Sequence, residues 1–395
     1  MNRDIVIIDG ARTPIGTFGG SLASLSPSEL GSIVIKKALE KSGVKPEAVH
    51  HVAMGNVINT EAKDMYLSRV ASLNAGIPEG VPAMNVNRLC GSGVQAIVSV
   101  IQSILLGDSD IVVAGGAESM SRSPHLIHDA RWGKKMGDCG MVDMMVGALS
   151  CPFGTGHMGV TAENVASEFG INRDAQDNFA LSSQIKAAKA IREGYFKNQI
   201  VPVEVSHRRK TVLFDTDEHP KSTSLEELAG LRTVFKKDGT VTAGNASGIN
   251  DGAAAIVLAS TEAAKEAGLT PKARILGYAH AGVRPDIMGI GPVPAVKNLL
   301  KKIDARISDF DVIESNEAFA AQAVAVSNEL GLNSDRVNPN GGAIALGHPI
   351  GATGAIITLK ALYELERTAG KKALVTMCIG GGQGIALAFE RIPTS

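Results

Sequence analysis

The chain has 395 residues, 44% of them hydrophobic and 4% aromatic, with 44 glycines, which suits a large, well-packed α/β protein of more than one domain. A formal net charge of −1 and a pI near 6.8 argue against a nucleic-acid binder, which needs a basic face. The four cysteines include no CxxC pair, and the strand-like opening MNRDIVIIDGARTP lacks a signal peptide's apolar core, so a cytoplasmic protein with no membrane span is expected.

After the opening strand, HHVAMGNVINT (50–60) reads as a buried strand with Asn56 just past it, followed by a helix from Tyr66 to Ala75. VPAMNV reads as a short buried strand. VQAIVSVIQSILLG spaces its apolar residues as a buried helix does, with Gly107 as the C-cap. Between these two lies NRLCGSG, which sets Cys90 at a bend with Gly91 and Gly93; IVVAGG then forms a strand to Gly116. Residues 119–248 break the pattern. They hold an amphipathic stretch at 161–194 and the basic HRRK at 207–210, and read as a large insertion before the strand-like GAAAIVLAS (252–260).

The remainder repeats the first part. FDVIESNEAFA (310–320) places Asn316 past a buried strand, as Asn56 is placed, ahead of a helix through Gln322 to Leu330. VNPNGGAIALGHPIGATG, a long helix and KALVTMCIGGG then match VNRLCGSG, its helix and IVVAGG, with GGAIALGHPI as extra residues. Such self-similarity implies two α/β halves of one architecture, each a sheet covered by helices, with a shared site where loops at strand ends converge. The expected division is 1–118 plus 249–272, an inserted 119–248, and 273–395.

Cys90 would lie near a helix N-terminus, where free N–H groups and the helix dipole favour a thiolate nucleophile. His348 is a candidate base from the other half, kept out of a helix interior by Pro349. Gly342 and Gly347 have P-loop spacing, but His-Pro stands where Lys-Ser/Thr is required. Cys378 ends an apolar strand and enters three glycines whose N–H groups can face a ligand oxygen. Asn316 either caps the next helix or orients a water or an oxyanion. Asn245, Ser247 and Asn250 are either turn residues or hydrogen-bonding partners for an amide-containing ligand. Cys139, Cys151 and His157 match no structural zinc spacing, so no metal is expected.

These segments together resemble the thiolases, specifically acetyl-CoA acetyltransferases and related β-ketothiolases. The resemblance runs through ARTPIGTFGG, NRLCGSG, AGGAESMSRSP, HMGVTAENVA, GTVTAGNASGINDGAA, NEAFAAQ, GGAIALGHPIGATGA and CIGGGQG, essentially the whole chain. It implies a duplicated, layered α/β/α/β/α fold with an inserted loop domain. It implies Cys90 as the nucleophile that carries the acyl group, and His348 as its base and later one arm of an oxyanion hole. Asn316 would hold a water as that hole's other donor, and Cys378 would take a proton from the acetyl-CoA methyl. Backbone N–H groups of Cys90 and Gly380 would form a second hole.

Leu149, His157, Met158, Phe235, Ala243, Ser247, Ala318 and Phe319 fall where the family lines its pantetheine tunnel. Lys134, Lys135, Arg208, Arg209, Lys210 and Lys221 are candidates for the phosphates of CoA. The implied activity is that of an acetyl-CoA C-acetyltransferase or 3-ketoacyl-CoA thiolase, with CoA as a substrate, no separate cofactor, and a homotetramer built through 119–140. A decarboxylating ketoacyl-carrier-protein synthase usually has histidines at its second and third catalytic positions, and a binding-only relative would lack part of the set. Many acetoacetyl-specific relatives carry an aromatic residue where this chain has Gly156, so either the acyl pocket is wider here or the glycine serves a turn. DMYLSRVA and CGMVDMMVGAL also look like the broad-range β-ketothiolases.

Overall fold

The computed structural model describes residues 3–207 and 210–393. Its first part runs β1 (Ile5–Arg12), α1 (Pro27–Ser42), β2 (His51–Gly55), α2 (Leu67–Asn74), β3 (Ala83–Val86), α3 (Ser92–Leu106) and β4 (Ile111–Ser119). Within the insertion lie α4 (Met158–Glu168) and α5 (Arg173–Arg192), so the amphipathic stretch is two helices, with Asn172 capping the second. There follow β5 (Asn250–Ser260), β6 (Ala273–Gly282), α6 (Pro292–Lys302), β7 (Val312–Ser315), α7 (Ala320–Leu330), α8 (Thr353–Thr368), β8 (Lys372–Ile379) and β9 (Gln383–Arg391).

Local chemistry sets several boundaries. Ser26 and Glu29 form a reciprocal capping box at the start of α1, with Pro27 in its first turn. Gly107 ends α3 at φ 84°, in the left-handed region that glycine enters without strain.

The strands join in the order β7-β8-β9-β6-β1-β5-β4-β2-β3. The sub-orders β1-β5-β4-β2-β3 and β6-β9-β8-β7 correspond, and Val337 bridges Ile313 in parallel where β3 pairs β2 in the first part. The two parts touch edge to edge only briefly, at Val6 with Arg274 and Ile7 with Ala273.

Alternation along β1 shows the layering. Ile5 and Ile7 face a cluster with α3 and α8, while Val6 and Ile8 face α1 and α2. On the far side α6 covers β7, β8 and β9. Helices α3 and α8 therefore lie between two sheets whose other faces are also covered, giving the five layers of the expected fold. Because both sheet faces are covered, strands such as β4 and β5 are buried along their whole length.

Two expectations change. VPAMNV is not a buried strand, because β3 closes one end of the sheet and leaves Met84 40% exposed. The stretch Leu89–Leu106 is apolar and long enough to cross a bilayer by length and composition, contrary to the expected lack of such a run; in the fold it belongs to the central layer.

Helices α3 and α8 meet backbone to backbone. A Cβ on Gly93 would lie 2.6 Å from Ala355 N and 3.1 Å from Gly354 Cα, and one on Gly354 would lie 2.4 Å from Val94 N. Neither contact is with a side chain that can swing away. Gly354→Ala should therefore lower stability by about 1–3 kcal/mol, seen as a thermal melt reduced by several degrees. An unchanged melting temperature would mean that the helices can separate there.

Candidate active site

The corner that carries Cys90 is built residue by residue. Ser92 Oγ accepts from Arg88 N–H (2.9 Å) and donates to Leu89 O (2.6 Å), closing the turn. Leu89 is held at φ 45°, a strained backbone for leucine. At Gly91 a Cβ would lie 2.5 Å from Ile379 Cδ1, in the residue after Cys378, so a side chain there would have to displace that isoleucine. Gly93 is required by α8. The glycines around Cys90 thus let the end of β8 and the start of α8 pack against its corner.

His348 is 5% exposed and held from both ends of its loop. Its N–H donates to Asn250 Oδ1 (2.9 Å), and Gly351 N–H donates to Glu118 Oε2 (2.8 Å). Glu118 also accepts from Val57 N–H, Ile58 N–H and Asn56 Nδ2 at 3.0–3.1 Å. Burial pushes its carboxyl up to about 8, opposed by these donors. Asn56, the counterpart of Asn316 in the first half, is committed to this clamp.

The hydrogen bonds decide the imidazole tautomer. Thr353 Oγ1 lies 2.7 Å from His348 Nδ1 and donates its one proton to Pro349 O at 2.9 Å. With that proton on the carbonyl, Thr353 accepts from the ring, an arrangement that puts the imidazole proton on Nδ1 and the lone pair on Nε2. Asn316 Nδ2 stands 3.5 Å from Nε2. Asn316 does not cap a helix; α7 begins at Ala320 with Phe319 as its N-cap.

The charge state differs from the thiolate expected at a helix terminus. Such a terminus offers about 0.3–1 kcal/mol, and desolvation outweighs it. Burial pushes the Cys90 thiol up to about 11, even though Gly380 N–H points to the sulfur and lowers it. The same cause carries Cys378 higher still, reinforced by Cys90 beside it. His348 is pushed down to about 4. The resting pair is a thiol and a neutral imidazole.

Cys90, His348 and Gly380 open onto a cavity of about 510 Å³. Its wall also holds Leu149, His157, Met158, Lys221, Phe235, Ala243, Ser247, Ala318 and Phe319. His157 stacks on Phe235 with ring centroids 4.7 Å apart, and Phe319 meets Phe235 edge-on at 6.3 Å. Gly159 makes room for this, since a Cβ there would lie 2.2 Å from the Phe235 ring. Cys378 and Asn316 sit behind the wall, 1% and 2% exposed.

Other candidates are not brought to the cavity. Asn245 is spent on Asp177, Thr240 and Thr242, and Asn250 on the His348 loop, so neither is a ligand group. Lys134, Lys135 and Lys210 are exposed and off the wall, while Arg208 and Arg209 lie outside the described residues. Gly156 is exposed at φ 99°, and the nearest atom to a Cβ there would be Val160 Cγ2 at 3.8 Å. It serves the turn and does not border the cavity. Cys139 is exposed, and Cys151 is buried in an apolar cluster with Met158 and Cys378. Among the described residues no group of three His, Cys, Asp or Glu side chains could hold a metal ion.

Sequence reasoning missed Glu118, Thr353 and His219. A lone carboxylate in the apolar strand IVVAGGAES was the available signal for Glu118, because a buried charge must find donors. Thr353 had no local signal, since its partner is fixed by the loop's closure. His219, on the cavity wall, stands in the unremarkable loop DEHPK.

This is a duplicated α/β enzyme in which a cysteine from one half and a histidine from the other open onto one cavity, with a second cysteine packed against the residues of its wall. The chain belongs to the thiolase family: the thiolase N-terminal domain matches residues 5–262 and the thiolase C-terminal domain residues 269–391. It is 59% identical over 394 residues to a β-ketothiolase, BktB, of Cupriavidus necator, covering 99% of this chain and all of the relative. The crystal structure of the Bacillus anthracis acetyl-CoA acetyltransferase superposes with a TM-score of 0.96 at 47% identity, covering 99% of both chains. Human mitochondrial 3-ketoacyl-CoA thiolase gives 0.97 at 44%, also over 99% of both.

His348 accepts a proton only as the neutral imidazole. With the group pushed down to about 4, kcat/KM for the reaction at Cys90 should hold as pH falls through 6.5 and drop only toward about pH 4–5. An acid limb centred near 6.5 would mean that the ring is solvated.

Proposed function

We propose that the chain cleaves 3-ketoacyl-CoA with CoA and, in reverse, condenses acetyl-CoA with an acyl-CoA, through a thioester on Cys90. The observation that carries this reading is that half-buried Cys90 and the His348 imidazole line one largely apolar cavity, with the buried Cys378 thiol close enough to Cys90 to be pushed up by it. In thiolysis, Cys90 gives its proton to His348 Nε2 and its sulfur bonds to the 3-keto carbon. The resulting alkoxide collapses, the C2–C3 bond breaks, and its electron pair becomes the enolate of acetyl-CoA. His348, now protonated at Nε2, and Asn316, through a bound water, stabilise that enolate oxygen. Cys378 protonates C2 and is left as a thiolate. The incoming CoA thiol gives its proton to Cys378 and attacks the thioester at Cys90. The departing sulfur takes its proton back from His348, which closes the balance.

The residue types suit these steps. Cysteine is both a soft nucleophile and a good leaving group for acyl exchange. A thiolate whose conjugate acid is raised, as burial raises Cys378, is a strong base for a weak carbon acid in the condensing direction. The thiol at that position also counts against a decarboxylating synthase.

Acetoacetyl-CoA supplied with CoA should be consumed, and peptide mass spectrometry after a brief quench should find the acyl group on Cys90. Cys378→Ala should still acylate at Cys90 but lose exchange of the acetyl methyl protons with solvent deuterium. Acylation confined to another cysteine, or full exchange in Cys378→Ala, would contradict the roles. The relative named a β-ketothiolase and a wall with three flexible methionines, Met120, Met158 and Met288, support activity on 3-ketovaleryl-CoA and somewhat longer chains. Rates across a 3-ketoacyl series would show it, and turnover of acetoacetyl-CoA alone would exclude it.

The proposal includes a cytoplasmic homotetramer assembled through 119–140. Trp132 and Met136 are each 90% exposed, and Met141 66%, large apolar side chains of the kind that oligomer contacts cover. Trp132→Glu with Met136→Glu should shift sedimentation from tetramer to a smaller species. An unshifted tetramer would place its contacts elsewhere.

A further inference from the structure

His219 stands on the cavity wall at the end of a tightly anchored segment. Asp217 takes two hydrogen bonds from the Arg12 guanidinium, at 2.7 and 2.9 Å, and one from Ile15 N–H at 2.8 Å; the ion pair is wholly buried. Glu218 accepts from Thr17 N–H (2.8 Å), Ser21 N–H (2.9 Å) and Ser21 Oγ (2.7 Å). These two carboxylates dock the insertion onto the loop after β1. The third residue, His219, faces the cavity and is free of that task.

Its tautomer is also set. Asn250 is fully buried, with Oδ1 accepting from His348 N–H and Nδ2 donating to Gly16 O at 2.9 Å. Turning the amide over would set donor against donor and acceptor against acceptor. Nδ2 therefore also faces His219 Nδ1, at 3.3 Å, and that nitrogen must accept. The ring proton is on Nε2, which has no partner among the described residues. The ring edge lies over Gly248, where a Cβ would stand 2.2 Å from His219 Cε1 and 2.8 Å from Nε2. Ser247 and Gly248 share the same stretch of wall.

We propose that His219 is a substrate-binding residue whose Nε2–H donates to an amide carbonyl of the pantetheine arm of acyl-CoA. The arm has two amides and no charge, so it needs neutral donors in an otherwise apolar cavity. Burial pushes His219 down to about 4, with Lys221 adding to the effect, which keeps the ring neutral and Nδ1 free to accept from Asn250. The contact would join substrate to the loop that holds His348 through one amide side chain, that of Asn250. The inference rests on the acyl-CoA reading above, which wild-type turnover of acetoacetyl-CoA tests separately.

His219→Phe keeps a ring and removes the donor, so KM for CoA in thiolysis should rise about three- to tenfold. His219→Gln, which keeps an N–H donor, should recover most of that loss. Repeating the comparison with the acetoacetyl thioester of N-acetylcysteamine, which retains only the inner amide, identifies the carbonyl: a loss with both substrates assigns the inner one, and a loss with CoA alone the outer. In the wild-type enzyme, modification of His219 by diethyl pyrocarbonate, mapped by peptide mass spectrometry, should slow at least about threefold with saturating pantetheine. An unchanged KM in His219→Phe, a fall in kcat with no change in KM, or no protection by pantetheine would each overturn the assignment.

Discussion

The close approach of two helix N-termini, glycine against glycine, is the constraint on which the rest of the site depends. Helix α3 follows Cys90 and α8 follows His348, and the two cross where Gly93 meets Gly354 and Ala355. The carbonyl of Gly351 is packed in the same way, 2.1 Å from where a Cβ on Gly116 would be and 2.6 Å from one on Gly55. Close-packed backbones of this kind cannot be loosened at one point without moving the others. The cysteine and the histidine come from opposite halves, so their separation is set by this contact and not by either half alone.

Placing the pair in the central layer has an electrostatic consequence. Burial pushes the thiol up and the imidazole down, and the resting site carries no charge on either group. A neutral pair avoids the cost of burying two ions, and in the proposed mechanism charge develops only when substrate accepts the cysteine's electrons. The supporting hydrogen bonds then matter for direction: with Thr353 at Nδ1, the proposed mechanism uses Nε2 to take up and return the proton. Glu118 ties the His348 loop to the loop after β2 with one carboxylate and four donors. The polar groups around the site set its geometry, and the apolar layers exclude solvent from it.

Much of this was legible in the chain itself, for local reasons. The duplication, the corner at Cys90 and the end of α3 at Gly107 follow from hydrophobic period and from glycine at positions that need it. The family motifs named residues that share one cavity wall, although Asn245 and Asn250 proved to be spent on the loops around it. What could not be read was long-range. Nothing near Gly354 announces Val94, and nothing near His219 announces Asn250. The exposed edge at β3 depends on where the sheet stops, and the Gly156 turn on a backbone angle. For Cys90 the local term, the helix terminus, was visible, but the larger one was burial by the whole fold.

The central claim is that a neutral thiol is activated by an imidazole whose tautomer Thr353 fixes. Rapid-quench mass spectrometry of Cys90 acetylation by acetyl-CoA tests it most directly, comparing wild type with Thr353→Val and Thr353→Ser. Losing the acceptor at Nδ1 releases the wrong tautomer, so Thr353→Val should slow acetylation at saturating acetyl-CoA by about tenfold or more, while Thr353→Ser stays near wild type. Equal acetylation rates in wild type and Thr353→Val would contradict the account.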